Sequence, residues 1–278
     1  MTNFPSIAAC VAALLVAAAL EFAAAAESSP TVVELESPLS AAPPLQGLVR
    51  QPASAQPSPA VVLLHACNGN WRGLDERWGK RIASWGYVTL TVDSFGPRGI
   101  RTACGSVAVD MGTDAYRALA YLARQPSVDP ARVAVVGFSL GASLALTAVE
   151  RGAIERASTR KFRAAAAFYP PCLAFKDNMT VPVLVLVGER DDWTLANECR
   201  NMVEGRDDYG ISRHKGDGVP MRLIVYPDAW HAFDAPQLQM PVQVLGHRLQ
   251  FNQAAANQAS EALREFLDEQ LGERGKAP

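Results

Sequence analysis

The sequence predicts an α/β domain with a mostly parallel, doubly wound sheet carrying helices on both faces. Three observations lead there. Apolar, strand-type runs recur at residues 60–65, 87–93, 131–138, 162–169, 181–188 and 221–226. They are continuous rather than alternating, which suits strands buried on both faces. Helix-type segments stand between them, and that alternation implies parallel strands joined by crossovers. No internal repeat or linker interrupts residues 60–271. A single domain is expected.

Of the 278 residues, residues 7–20 form an apolar run that ends in Ala23-Ala24-Ala25-Ala26-Glu27. This reads as the core and small-residue cleavage site of a secretory signal spanning 1–26. The run falls short of the roughly 20 residues a spanning helix needs. No Lys or Arg precedes Arg50, so the usual basic start of a signal is missing. Cys10 precedes the apolar run instead of following it, which argues against lipidation. Export to a secreted or periplasmic location is the expectation. Residues 27–59 are rich in Pro, Ser and Ala and read as an N-terminal extension, with candidate edge strands at 31–35 and 45–50. The main domain is then 60–278.

The net charge is −2, so no basic surface points to nucleic acid or an anionic membrane. Beyond the signal lie Cys67, Cys104, Cys172 and Cys199. Four cysteines in an exported chain suggest two disulfides, with three pairings open. No C-x-x-C pair or Cys/His cluster indicates a metal. No cofactor is expected.

In chain order, Leu74, Trp78, Ile82 and Trp85 recur at helical spacing after the first core strand, giving an amphipathic helix that stops near Gly86. A turn at 94–99 follows the second. Residues 110–125 form a helix with Tyr116, Leu119 and Leu122 on one side. Residues 204–218 are polar and glycine-rich, as in an exposed insertion. The strand at 221–226 is expected to be the last. Residues 254–271 close the chain as a helix that buries Leu263, Phe266, Leu267 and Leu271.

The chemistry centres on Gly137-Phe138-Ser139-Leu140-Gly141, between an apolar strand and an Ala/Leu-rich helix. This Gly-x-Ser-x-Gly pattern at a strand-to-helix turn is a nucleophile elbow. The bland alternative is a tight turn with Ser139 capping the helix. An elbow serine needs a base, and the base needs an orienting acid. Of the four histidines, His65 ends a strand, His214 lies in the polar insertion and His247 leads toward the last helix. His231 directly follows a strand, at the sheet edge where catalytic side chains converge. Gly188-Glu189-Arg190-Asp191-Asp192 follows another strand and supplies the acid. Only one of the adjacent aspartates can face His231, and Asp191 is preferred, with Asp192 in support or capping a helix. The order Ser139, Asp191, His231 is that of α/β-hydrolases. The oxyanion donors would be the backbone N–H of Leu140 and of Cys67, with Asn68 an alternative. His65 reads as a structural residue of that loop.

The pieces Val62-Leu63-Leu64-His65-Ala66-Cys67-Asn68-Gly69, Trp85-Gly86-Tyr87, Asp93-Ser94-Phe95-Gly96-Pro97-Arg98-Gly99, the elbow, Phe168-Tyr169-Pro170-Pro171-Cys172, Gly188-Glu189-Arg190-Asp191-Asp192-Trp193 and His231-Ala232-Phe233-Asp234 resemble the dienelactone hydrolase family of α/β-hydrolases. The likeness is strongest to its exported, cysteine-containing branch. It implies a single-domain hydrolase of esters or lactones without metal or organic cofactor. Two departures stand out. Family members that open dienelactone use a cysteine nucleophile and a glutamate after the oxyanion-loop strand. Here those positions are Ser139 and Ala66. Dienelactone itself is therefore not the expected substrate. The resemblance also suggests pairing Cys67 with Cys104 and Cys172 with Cys199.

The expected reaction is hydrolysis of a small-molecule carboxylic ester or lactone through an acyl-enzyme on Ser139. A peptidase or acyltransferase could use the same triad, although no acceptor site is visible. A non-catalytic binding protein would be betrayed by loss of a triad member, and all three are present. Phe95, Phe138, Trp193, Trp230 and Phe233 are candidates for an apolar acyl pocket or plain core. Arg98 could meet a substrate carboxylate or simply staple its own loop.

Overall fold

A computed structural model describes residues 29–36, 43–54, 56–105, 111–176, 178–205 and 218–272. Residues 1–26, expected to be a signal, lie outside the described residues. So does most of the polar insertion, His214 included.

The first two strands, β1 (Thr31–Leu35) and β2 (Leu45–Arg50), pair antiparallel. Then come β3 (Ser58–Leu64), α1 (Trp71–Leu74), a π turn (Asp75–Gly79), α2 (Lys80–Ser84) and β4 (Val88–Asp93). The middle of the chain gives α3 (Asp114–Leu122), β5 (Val128–Phe138), α4 (Leu140–Val149), α5 (Ala153–Ala157) and β6 (Ala164–Phe168). The last third gives β7 (Val183–Gly188), α6 (Ala196–Glu204), β8 (Met221–Tyr226), β9 (Val242–Val244), β10 (His247–Leu249) and α7 (Gln253–Leu271).

Eight strands form one sheet in the order β1-β2-β4-β3-β5-β6-β7-β8, with helices on both faces. β2 joins antiparallel to β4, and every pairing from β4 through β8 is parallel. The parallel strands β3, β4, β6 and β7 are buried along their whole length, which is why their sequences run apolar without alternation. The extension at 27–59 thus supplies two strands of the same sheet.

Two expectations are corrected. β8 is not the final strand, because β9 and β10 form a separate two-stranded hairpin. Each has only three residues, too short for its periodicity to announce a strand. The helix expected to run smoothly through Leu74, Trp78 and Ile82 widens into the π turn at Asp75–Gly79. Asp75 is fully buried there and accepts from Arg50 Nε and Nη2 at 2.8 and 2.7 Å. Thr91 Oγ1 donates to its other oxygen at 3.1 Å. Glu76 also pairs with Arg50. A buried carboxylate is tolerable only with such partners. The wider turn carries Arg77 and Trp78 toward the end of the sheet.

Leaving Asp75 without its guanidinium should cost about 3–5 kcal/mol. Urea unfolding of Arg50→Leu is expected to show that loss, and adding Asp75→Leu should restore a substantial part of it. A loss below about 1 kcal/mol in the single variant would contradict this account.

Candidate active site

Five segments meet at the carboxyl ends of the parallel strands: the loops after β3, β5, β6, β7 and β8. Such an edge is where ligands bind in open α/β sheets.

Ser139 sits between β5 and α4 with φ 52° and ψ −114°, a conformation that side-chain-bearing residues avoid. Its neighbours permit this. A Cβ at Gly137 would fall on the carbonyl of Gly141, and one at Gly141 would fall on the carbonyls of Leu64 and His65. Ser139 N–H donates to Phe168 O at 3.0 Å, which pins the turn to β6. Tyr169 and Ala232, both at the cleft, also have positive φ, 42° and 56°. Backbone strain of about 1 kcal/mol or more at each is concentrated around the cleft.

The Ser139 Oγ lies 3.1 Å from His231 Nε2, and His231 Nδ1 lies 2.8 Å from Asp191 Oδ2. Asp191 can only accept, so Nδ1 carries the hydrogen and Nε2 presents its lone pair to the serine hydroxyl. Asp191 is itself held by Trp193 N–H at 2.9 Å, Thr194 N–H at 2.8 Å and Thr194 Oγ1 at 2.8 Å. Ser139, His231 and Asp191 are all buried. Asp192 points the other way. It accepts from Arg248 N–H at 3.1 Å and faces His247 Nδ1 at 3.7 Å, anchoring β10.

The loop after β3 is fixed from several sides. Cys67 O accepts from Ala103 N–H at 2.8 Å and from Thr102 Oγ1 at 3.2 Å. Disulfides join Cys67 to Cys104 and Cys172 to Cys199. Cys67, Cys104 and Asn68 all border the cleft. Leu140 opens α4, so its amide lies in the first turn, where no carbonyl four residues back can accept from it. His65 Nδ1 donates to Ala66 O at 2.8 Å, and Nε2 accepts from Ser94 N–H at 3.3 Å. Phe95 packs edge-on against its ring at 4.6 Å. Burial pushes the imidazole below its ordinary 6.5, and the acceptor Ala66 O and the nearby Asp93 oppose this only partly.

The cleft, mouth included, holds about 890 Å³, and Phe138, Tyr169, Trp193, Leu238, Val242 and Leu249 form much of its apolar wall. This size accommodates a small-molecule ligand. Of the aromatic candidates, Phe138 and Trp193 line this cleft. Phe95, Arg98, Trp230 and Phe233 are not part of the lining. Phe95 is committed to His65. Arg98 is committed to Asp114, with Nη1 and Nη2 each 2.8 Å from its carboxylate and Nη1 also donating to Ser94 O at 2.7 Å. Trp230 lies under the Arg248 guanidinium, 4.7 Å from its ring centre. Phe233 is fully buried against Phe168, Tyr169 and Tyr226.

Sequence reasoning missed Thr194, whose place three residues after Asp191 is an Asx-type signal. It also missed Tyr169, Arg77 and Asp234. Asp234 is buried and accepts from Tyr169 OH at 2.7 Å and Trp78 Nε1 at 2.6 Å. Burial and the Asp234 charge push the Tyr169 hydroxyl well above its ordinary range, so it stays a donor. The Tyr169 ring lies 4.7 Å from that of His231. These residues come from distant parts of the chain, and no local pattern joins them. Among the described residues no group of three His, Cys, Asp or Glu side chains could hold a metal ion. None of the described helices is long and apolar enough to cross a membrane.

The family model for the dienelactone hydrolase family matches residues 45–271. Solved structures share the fold. A dienelactone hydrolase-like promiscuous phosphotriesterase from metagenomic libraries superposes with TM-score 0.66 at 21% identity, covering 88% of this chain and 100% of its own. An esterase of the planctomycete Thermogutta terrifontis gives TM-score 0.62 at 19% identity, covering 89% and 95%. A Pyrococcus furiosus esterase gives TM-score 0.62 at 17% identity, covering 88% and 94%. A comparison with curated proteins finds no match.

An unfolded chain takes up a proton on His65 near pH 6.5, while the folded protein resists it until lower pH. Stability should therefore fall as pH drops through and below 6.5. Thermal unfolding from pH 8 to 5 is expected to show a shallower decline in His65→Gln than in wild type. Equal slopes would remove His65 as a source.

Proposed function

The chain belongs to the dienelactone hydrolase family and is a hydrolase acting on ester bonds, and within that family we propose a serine hydrolase of small carboxylic esters or lactones. The observation that carries this reading is the hydrogen-bonded line from Ser139 through His231 to Asp191, at 3.1 and 2.8 Å.

Ser139 Oγ attacks the acyl carbon while its proton passes to His231 Nε2. Asp191 holds the Nδ1–H tautomer and stabilises the imidazolium that forms. The carbonyl oxygen becomes an oxyanion, met by the amides of Leu140 and Cys67. Collapse breaks the bond to the leaving oxygen, which takes the proton from His231. A water then gives a proton to Nε2 and attacks the acyl-enzyme. A second collapse releases the acid and returns the proton to Ser139. For a lactone, the leaving oxygen and the acid remain in one molecule. The Cys67–Cys104 disulfide supports the oxyanion role of Cys67, because it and the two bonds to Cys67 O limit motion of that residue.

We propose further that residues 1–26 are a signal, that the mature chain runs from residue 27, and that it works outside the cytoplasm. The two disulfides support an oxidising compartment.

A fluorophosphonate probe should label the wild type, and a short p-nitrophenyl ester should give a burst followed by turnover. Both should vanish in Ser139→Ala, and turnover that survives in that variant would displace Ser139 as nucleophile. The two aspartates are expected to separate sharply. Asp191→Asn should lower kcat by about 10³–10⁴, the loss of the correct tautomer, while Asp192→Asn lowers it less than about tenfold. Similar losses in the two variants would reverse the assignment of the acid.

A further inference from the structure

Thr194 stands two residues before α6 and is buried. Trp193 and His231 border the cleft, whereas Thr194 lies behind them and does not. The Asp191 carboxylate divides its partners by oxygen. Oδ1 accepts from two amides of its own loop, Trp193 N–H at 2.9 Å and Thr194 N–H at 2.8 Å. Oδ2 meets Thr194 Oγ1 and His231 Nδ1, each at 2.8 Å. The same hydroxyl oxygen lies 3.2 Å from His231 Nδ1. Hydroxyl, carboxylate oxygen and imidazole nitrogen thus form a closed triangle.

A hydroxyl has one hydrogen to give and two lone pairs to offer. Turned toward Nδ1, that hydrogen would serve the tautomer protonated at Nε2, which cannot take a proton from Ser139. The charged oxygen at 2.8 Å is the stronger acceptor and wins it. The lone pairs of Thr194 Oγ1 then face Nδ1, so the ring hydrogen meets two acceptors and no competing donor. The β-branched side chain restricts χ1 and keeps the hydroxyl in this place. Tyr169 and Trp193 touch the imidazole ring to ring, at 4.7 and 5.1 Å, and such contacts do not choose a tautomer. The two amides at Oδ1 anchor Asp191 without help from the hydroxyl. Loss of the hydroxyl therefore reaches the imidazole rather than the loop.

Building on the serine-hydrolase reading, we infer that Thr194 is a positioning residue that acts through its hydroxyl. It holds His231 in the Nδ1–H tautomer, in line with Asp191, and thereby sets kcat.

The test follows p-nitrophenyl butyrate turnover in a double-mutant cycle. Thr194→Val, close to threonine in shape, should lower kcat about 30-fold and leave KM within about twofold, the pattern of an interaction felt in the transition state. Thr194→Ser, which restores the hydroxyl, should recover kcat to within about fivefold of wild type. In an Asp191→Asn background, Thr194→Val should cost less than about threefold, because residues that act as a unit are not additive. Equal costs in the two backgrounds would overturn the inference, as would a loss carried by KM with kcat intact. Where Thr194→Val fails to fold, Thr194→Ser should turn over at least about tenfold faster than Thr194→Ala, and equal rates overturn it. Turnover that is lost in Ser139→Ala keeps the serine reading standing whatever the Thr194 variants do. Turnover that survives there removes both.

Discussion

A side chain at Gly137 would run into the carbonyl of Gly141, and a side chain at Gly141 would run into the carbonyls of Leu64 and His65. This three-way approach of β3, β5 and α4 is the constraint on which the rest of the site depends. With two hydrogens in place of two Cβ atoms, α4 can start against the sheet and Ser139 can hold its strained turn. The bond from Ser139 N–H to Phe168 O then ties the same turn to β6. These backbone contacts fix where the Ser139 side chain leaves the turn, and its hydroxyl meets His231 Nε2 at 3.1 Å. A similar close approach recurs where Gly188 meets the carbonyl of Ala229, which brings the loop of Asp191 against the loop of His231.

The carboxylates near the cleft divide the work by environment. Asp191 is enclosed, bonded to two amides, a hydroxyl and an imidazole. Asp192, one residue on, reaches the hairpin through Arg248 N–H and His247. The Trp193 ring stacks on His247 at 5.0 Å and lies 5.1 Å from His231. His231 and the hairpin wall are thus braced by one short segment. Asp234 serves a third purpose. It gathers Trp78, Tyr169 and Arg77 beneath the cleft, linking the π turn to the loop after β6. A polar hub inside an apolar floor holds only when its donors are met.

The loop after β3 is braced from two sides. His65 bridges two loops as a neutral ring, donating from one nitrogen and accepting at the other. The disulfide between Cys67 and Cys104 and the bonds to Cys67 O then hold the loop from the opposite side. Neighbouring loops, rather than strands, keep this part of the cleft in shape. That arrangement suits an edge where the sheet itself has ended.

The sheet was legible in the sequence because each buried parallel strand writes a continuous apolar run into five to eight consecutive residues. The elbow was legible because glycine, serine and glycine at fixed spacing mark a tight strand-to-helix turn. The order of Ser139, Asp191 and His231 along the chain marked those three side chains, and they stand in one hydrogen-bonded line. What the tertiary structure alone decided was partnership. Nothing local distinguishes Arg98, which Asp114 holds through two nitrogens, from Arg77, which lies beside Asp234. Nor does any local signal reveal that Asp75 widens a helix to reach Arg50, that Asp234 collects two hydrogen-bond donors and an ion pair, or that two three-residue strands wall the cleft. Periodicity and turn chemistry act between neighbours in the chain. Pairing of buried charges acts between residues that only the folded sheet brings together.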